Sequence, residues 1–125
     1  MIKQVIVLRK DLNMRKGKMV AQGAHASMKV FLDRGLTYDY QLHAELTPDM
    51  VEWVEGKFAK IVLGVESEEE LLAVYEQAQE ADIPTALITD DGRTEFHGEP
   101  THTAVAVGPA KAEDIDPITG SMKLL

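Results

Sequence analysis

The 125-residue chain contains no cysteine. Thiol catalysis, disulfides and thiolate metal sites are excluded at once. No apolar run approaches the length of a membrane span, and the opening run, Met1 to Arg9, is too short for a signal peptide. A soluble, cytoplasmic protein with no membrane partner is expected. Repeats and low-complexity linkers are missing as well, and the length is that of one domain able to bury a core without staples. Several site signatures are also lacking. There is no Gly-x-Gly-x-x-Gly fingerprint and no Gly-x-Ser-x-Gly elbow. Gly17-Lys18 lacks the upstream glycine of a P-loop, and Met19 stands where Ser or Thr would hold magnesium. His97 and His102 sit in a Gly/Pro loop with no evident third ligand, so no metal or cofactor is expected.

What the chain does carry is an uneven charge. It holds 13 Lys or Arg against 21 Asp or Glu, a net −8 that argues at first against nucleic acid. Residues 1–34, however, hold Lys3, Arg9, Lys10, Arg15, Lys16, Lys18, Lys29 and Arg34 against only Asp11 and Asp33. Some soluble domains segregate charge in this way without using it. A basic zone on an acidic body also steers an anionic partner to one face.

The segment from Asn13 to Ser27 follows an apolar run, begins densely basic, and turns apolar and helical. Cations therefore stand at the mouth of a helix that starts beside the end of a strand. Free N–H groups and partial positive charge at such a mouth suit a phosphate. At about 100° per residue, Gln22 lies roughly 40° round the helix from Lys18, and His25 about 20° from it. Polar, chemically capable side chains thus share one face amid Met, Val and Ala.

Val5 to Leu8 reads as a strand buried on both faces. The first helix is predicted from Lys16 to Arg34, with Gly35 as its stop. Residues 36–47 read as a loop or short helical piece. Thr47-Pro48 opens a short helix through Trp53 that ends at Gly56. Ala59 to Val65 is a second strand. Ser67 with Glu70 forms a capping box before a helix that buries Leu71, Leu72, Val74, Tyr75 and Ala78. Thr85 to Thr89 is a third strand, and Asp90 to Thr94 a loop. Thr103 to Val107 is a fourth strand, closed by Gly108-Pro109, and Ala112 to Ile118 a last short helix. The apolar tail Met122 to Leu125 needs something to pack on. Alternating strands and helices imply a single compact α/β domain, a four-stranded mixed β-sheet with helices on both faces. The last two strands lack a helix between them and are expected to run antiparallel.

Sites in open α/β sheets form beyond the carboxyl ends of strands. The first strand delivers Lys18, Gln22 and His25 to such an edge. The third, if parallel to it, delivers Asp90 and Thr94 to the same edge. A cation, a carboxylate, an amide and a hydroxyl can together polarise a carbonyl and position a water, but do not readily form an acyl intermediate. Each residue also has a plain structural reading. Lys18 can be a surface lysine, Gln22 and His25 can satisfy backbone groups, and Asp90 can cap its own turn.

Those residues, in their order and spacing, resemble peptidyl-tRNA hydrolase of the archaeal and eukaryotic type, type 2. The likeness spans nearly the whole chain. It runs from Lys3-Gln4-Val5-Ile6-Val7 and Asp11-Leu12 through Lys16-Gly17-Lys18, Ala21-Gln22 and His25-Ala26. It continues through Lys60-Ile61-Val62-Leu63, Glu68-Glu69-Glu70-Leu71, Pro84 to Ile88, Asp90, Gly92 and Thr94. It closes with Val107-Gly108-Pro109, Ile115-Asp116, Thr119-Gly120 and Lys123-Leu124-Leu125. The resemblance implies a four-stranded mixed sheet, usually a homodimer, and cleavage of the ester between a peptide and the 3′ ribose of tRNA. It implies catalysis at Lys18, Asp90 and Thr94, with Gln22 and His25 beside them. The chain departs from the pattern at Thr89 and Asp91, where the family commonly has Arg and Ala, and in loop 96–102. A lost cation and an added anion both push a neighbouring Asp90 carboxyl upward.

The expected chemistry is hydrolysis without a metal. Arg9, Lys10, Arg15 and Lys16 would hold phosphates of the tRNA acceptor end. Asp90 would orient a water, Lys18 would meet the oxyanion or a phosphate, and Gln22 would position the ester. The rival expectation is a non-catalytic RNA-binding or protein-interaction module on the same fold. Hydrolysis of another acyl ester or amide is a third. Trp53 and the Leu124-Leu125 tail would support a homodimer where exposed, or belong to the core.

Overall fold

The computed structural model describes residues 1–93 and 96–125. Its centre is β1 (Ile2–Arg9), whose burial is continuous from Lys3 to Arg9. β1 pairs parallel with β4 (Lys60–Val65) on one side and antiparallel with β6 (Thr101–Lys111) on the other. β5 (Thr85–Asp90) pairs antiparallel with β6, and β7 (Lys123–Leu124) pairs antiparallel with β4. The sheet order is β5-β6-β1-β4-β7.

Alternation along β1 splits the core in two. Ile6 and Leu8 face α1 (Lys16–Leu32) and α2 (Pro48–Glu55), packing with Ala26, Val30, Met50 and Ile88. Val5 and Val7 face α3 (Glu68–Glu80) and α4 (Ala112–Thr119), packing with Leu71, Val74, Val105 and Ile115. The expected α/β architecture with helices on both faces is therefore present.

Several expectations need correction. The main sheet has five strands rather than four, because the apolar tail adds as β7, with Leu124 opposite Leu63. A two-residue strand is too short to leave a periodicity. Residues 36–47, read as loop or helix, instead hold most of a hairpin, β2 (Gly35–Tyr38) and β3 (Gln41–Ala44). Its two-residue turn places Asp39 at φ 52° and Tyr40 at φ 59°. A tight hairpin turn with two positive φ values is usually marked by Asn-Gly or Asp-Gly, and Asp-Tyr hides it. The first helix stops at Leu32, and Gly35 opens β2.

Gly108-Pro109 does not close β6. Gly108 adopts φ +93°, where a side chain would be strained, and a Cβ there would meet the Lys3 carbonyl at 2.7 Å. The register shift in β1 between Lys3 and Val5 absorbs this irregularity, and the strand continues to Lys111. Thr47 does cap α2, accepting from Met50 N–H at 3.1 Å. Only half of the capping box forms on α3. Ser67 accepts from Glu70 N–H, but the Glu70 carboxylate takes the N–H of Glu66 instead of that of Ser67. Trp53 belongs to the core at 3% exposure, with its indole N–H donated to Ala59 O at 2.8 Å. Leu124 is 74% exposed.

Leu71 is fully buried at 0% exposure. Leu71→Ala should cost about 2–5 kcal/mol, the usual cavity-forming penalty. Leu124→Ala should cost well under 1 kcal/mol, as surface changes do. Urea unfolding of the two variants checks the contrast.

Candidate active site

β1 and β5 both run antiparallel to β6, so they run parallel to each other and end at one edge. α1 begins at that edge. Its N-cap, Arg15, makes no side-chain capping bond, and no acid occupies its first turn. Among the described residues, the space beside Gly17 is open. The helix mouth therefore presents N–H groups and a positive end, with no acid of its own first turn to meet them.

Lys18, one turn in, donates from Nζ to Asp90 Oδ1 at 2.8 Å. Both partners are largely covered, with side-chain exposures of 14% and 11%. Gln22, one turn further along α1, donates from Nε2 to the same oxygen at 3.4 Å. Gly92 N–H donates to Asp90 Oδ2 at 3.0 Å. The turn-capping reading of Asp90 thus holds on Oδ2, while Oδ1 takes the donors from α1.

Gln22 is itself fixed from behind. The Thr103 hydroxyl, buried in β6, donates to Gln22 Oε1. A hydroxyl donor on the amide oxygen leaves only the NH₂ end to face Asp90, so the amide can point one way only. Thr103 did not emerge from sequence reasoning. Its one signal is a hydroxyl at the head of the apolar run Ala104-Val105-Ala106-Val107. Phe96 was missed too. Its ring centroid lies 5.8 Å from Lys18 Nζ, and it packs against the α1 core.

The Asp90 carboxyl is held below its ordinary value of 3.8, first by the Lys18 hydrogen bond. Burial opposes this, while the Gly92 N–H and the charges of Lys18 and His25 add to it. The upward push expected from Asp91 does not prevail. That carboxylate turns outward, accepting from Arg93 N–H at 3.1 Å and pairing with Arg93 Nε at 3.2 Å. Thr89, the other departure, shares a 2.9 Å hydrogen bond with His102 Nδ1.

The remaining expected residues are placed as follows. Thr94 lies outside the described residues. His25 is exposed on the α1 flank toward β5, where it lines a cleft with Ile88. Lys10 is half exposed and pairs with Glu66 at 3.5 Å. Arg15 and Lys16 are exposed at the helix mouth. Arg9 is drawn inside at 8% exposure. Its guanidinium donates to both Asp11 oxygens, to Glu68, and to His102 O. It braces the turn before α1 from within, unlike its exposed basic neighbours. Among the described residues, no three His, Asp or Glu gather as a metal-binding group, and no helix is long and apolar enough to cross a membrane.

A family model described as peptidyl-tRNA hydrolase PTH2 matches residues 2–125. The chain belongs to the peptidyl-tRNA hydrolase PTH2 family. A peptidyl-tRNA hydrolase from Methanocaldococcus jannaschii is 45% identical over 99% of this chain and 100% of its own length. One from Sulfurisphaera tokodaii is 44% identical over 98% of each. Among solved structures, a protein of unknown function from Agrobacterium tumefaciens matches with a TM-score of 0.53 at 17% identity. That likeness covers 98% of this chain and 96% of the other, and speaks to fold alone.

Lys18→Met removes one member of a covered ion pair and should destabilise the fold by about 3–5 kcal/mol. It should also raise the Asp90 carboxyl, whose largest downward cause is lost. In the native protein, the lowered Asp90 value adds stability that is fully present above pH 3.8 and is lost as pH falls through the lower folded value. Unfolding free energies of the native chain and Asp90→Asn between pH 7 and pH 2 should therefore differ by a constant above about pH 5 and converge below pH 3.8.

Proposed function

We propose that this protein hydrolyses the ester between a peptidyl group and the 3′ ribose of tRNA, returning the tRNA to use in the cytoplasm. The observation that carries this reading is the Lys18–Asp90 pair, covered, braced by Gln22 and Thr103, and set at the mouth of an uncapped basic helix. The family to which the chain belongs and its relatives' names support the same reading.

In this mechanism, water attacks the ester carbonyl, the bond to the ribose oxygen breaks, and that oxygen leaves with a proton. Asp90 is anionic at neutral pH and holds the water with a lone pair left over from its donors, taking its proton directly or through Thr94. General-base help of this kind is worth about 10²–10⁴-fold. Lys18 meets the developing oxyanion, a contribution of about 3–4 kcal/mol for one well-placed donor. The two roles are linked. As the oxyanion draws on Lys18, Asp90 loses its strongest donor and becomes a better base at the moment the proton must leave. Gln22 holds the ester or the water.

Lys10, Arg15 and Lys16 supply the phosphate contacts of the acceptor end, with the open first turn of α1 between them. Arg9 positions the turn that presents them. Such contacts fix register without reading sequence. The non-catalytic rival rested on the acidic body, with its net charge of −8, and on the altered Thr89-Asp90-Asp91 loop. The Thr89 and Asp91 side chains are engaged with His102 and Arg93 and leave the Lys18–Asp90 bond intact.

The active form we propose is a homodimer. A groove of about 700 Å³ runs between α1 and β4, floored by Ile6, Leu8 and Val62 and closed by Leu125. Val20 and Met28 on its rim are 73% and 60% exposed. The matching groove of a second copy would cover this apolar surface.

N-acetylaminoacyl-tRNA incubated with purified protein and EDTA should be hydrolysed. Lys18→Ala and Asp90→Asn should each lower kcat/KM by about 10²–10³-fold with the fold retained, the scale of one electrostatic or general-base contribution. Near-native turnover in both variants would remove the site assignment. Affinity for tRNA should fall steeply between 50 and 200 mM salt, roughly as each phosphate contact dictates. Sedimentation at micromolar concentration should give a dimer, and Val20→Asp should give a monomer.

A further inference from the structure

We propose that the free edge of β5 takes the peptide part of the substrate as an added parallel strand, an inference that rests on the ester-hydrolysis reading. β5 is the outermost strand of the sheet, and among the described residues nothing pairs with its other side. Which of its groups face outward follows from the ladder. The Pro84 carbonyl accepts from Gly108 N–H at 2.7 Å, and the pairing continues as Thr85 with Val107, Ala86 with Ala106 and Leu87 with Val105. Antiparallel pairs alternate between exchanging hydrogen bonds and not exchanging them. Ala86 therefore turns its N–H and C=O toward β6, while Thr85 and Leu87 turn theirs away from the sheet.

This row of main-chain groups leads straight to the site, because β5 ends on Asp90. The ester sits on the last residue of the peptide, so the peptide must approach Asp90 with its carboxyl end foremost. That is the direction of β5 itself, and the pairing is parallel, as β1 and β4 already are in the same sheet. Leu87 lies three residues before Asp90, about 10 Å along an extended chain. Its outward groups thus reach the third residue before the ester and beyond.

The flank of α1 completes the subsite. A cleft of about 360 Å³ beside β5 is walled by His25, Met28, Lys29, Leu32 and Ile88. Ile88 and Ala86 face this side of the sheet. An added strand would turn alternate side chains into the cleft and the others away from it. The cleft is broad and mostly apolar, so it accepts many side chains. The main chain carries the affinity, so the subsite sets little demand on peptide sequence.

The test uses the native protein and tRNA esterified with N-acetylated peptides of one to five residues. kcat/KM should rise once the third residue is present. N-methylation of a single peptide amide should lower it about three- to tenfold at alternate positions, the worth of one main-chain hydrogen bond, and leave it unchanged at the positions between. Equal kcat/KM for all lengths, or indifference to N-methylation at every position, would overturn the proposal. Leu87→Pro removes an outward N–H without touching the ladder and should bring the long-to-short ratio toward one. Should that variant fail to fold, the N-methyl series on the native protein still decides. A Leu87→Pro protein that loses an oligomer while keeping the native length preference would overturn the proposal in favour of an edge paired with a second copy. Absence of turnover on every tRNA ester would overturn the hydrolase reading and this one with it. Turnover without length or N-methyl dependence overturns this one alone.

Discussion

The arrangement of this protein depends on β6 running antiparallel to both of its neighbours. That constraint makes β1 and β5 parallel, although one crosses to β4 through α1, the hairpin and α2 and the other simply turns back into β6. Their carboxyl ends then share an edge, and α1, leaving β1 there, lays its polar flank against the end of β5. Lys18 and Asp90 stand 72 positions apart in the chain and meet at 2.8 Å only because of this geometry. β6 also contributes Thr103, the hydroxyl that orients Gln22. One strand thus sets where the site lies and which way one of its amides points.

The site is an economical piece of electrostatics. A covered carboxylate with donors from Lys18, Gln22 and Gly92 is stable as an anion. An anion so well satisfied is a poor base until a donor is withdrawn. In the proposed mechanism, the same lysine that steadies the carboxylate also meets the negative charge developing on a substrate. A competition of this kind needs the pair to be sheltered, since in open water its strength would fall to that of an ordinary surface bridge. Phe96, packed against the α1 side of the core, supplies part of that shelter.

Much of this was legible in the residues. The strand-to-basic-helix segment placed Lys18, Gln22 and His25 on one flank from helical spacing alone, and Lys18 and Gln22 do converge on Asp90. Thr47-Pro48 and Ser67 marked helix starts because capping chemistry is local. The hairpin at Gly35 to Ala44 was not legible, since its turn uses positive φ values at Asp39 and Tyr40 with no glycine to announce them. Arg9 looked like its basic neighbours in sequence, yet is turned inward, because Asp11, Glu68 and the His102 carbonyl surround it.

The sequence by itself determined the four helices and the four longer strands, the two apolar faces of β1, the basic mouth of α1 and the family, all of which are written in neighbouring residues or in their order. Only the tertiary structure decided the direction of the Asp90 carboxyl, the orientation of Gln22, the core position of Trp53 and the fifth strand made by the tail. The physical reason is range. Helical phase, capping and alternation act over a few residues. Proton affinity and burial are set by whichever distant groups the sheet brings within a few ångströms.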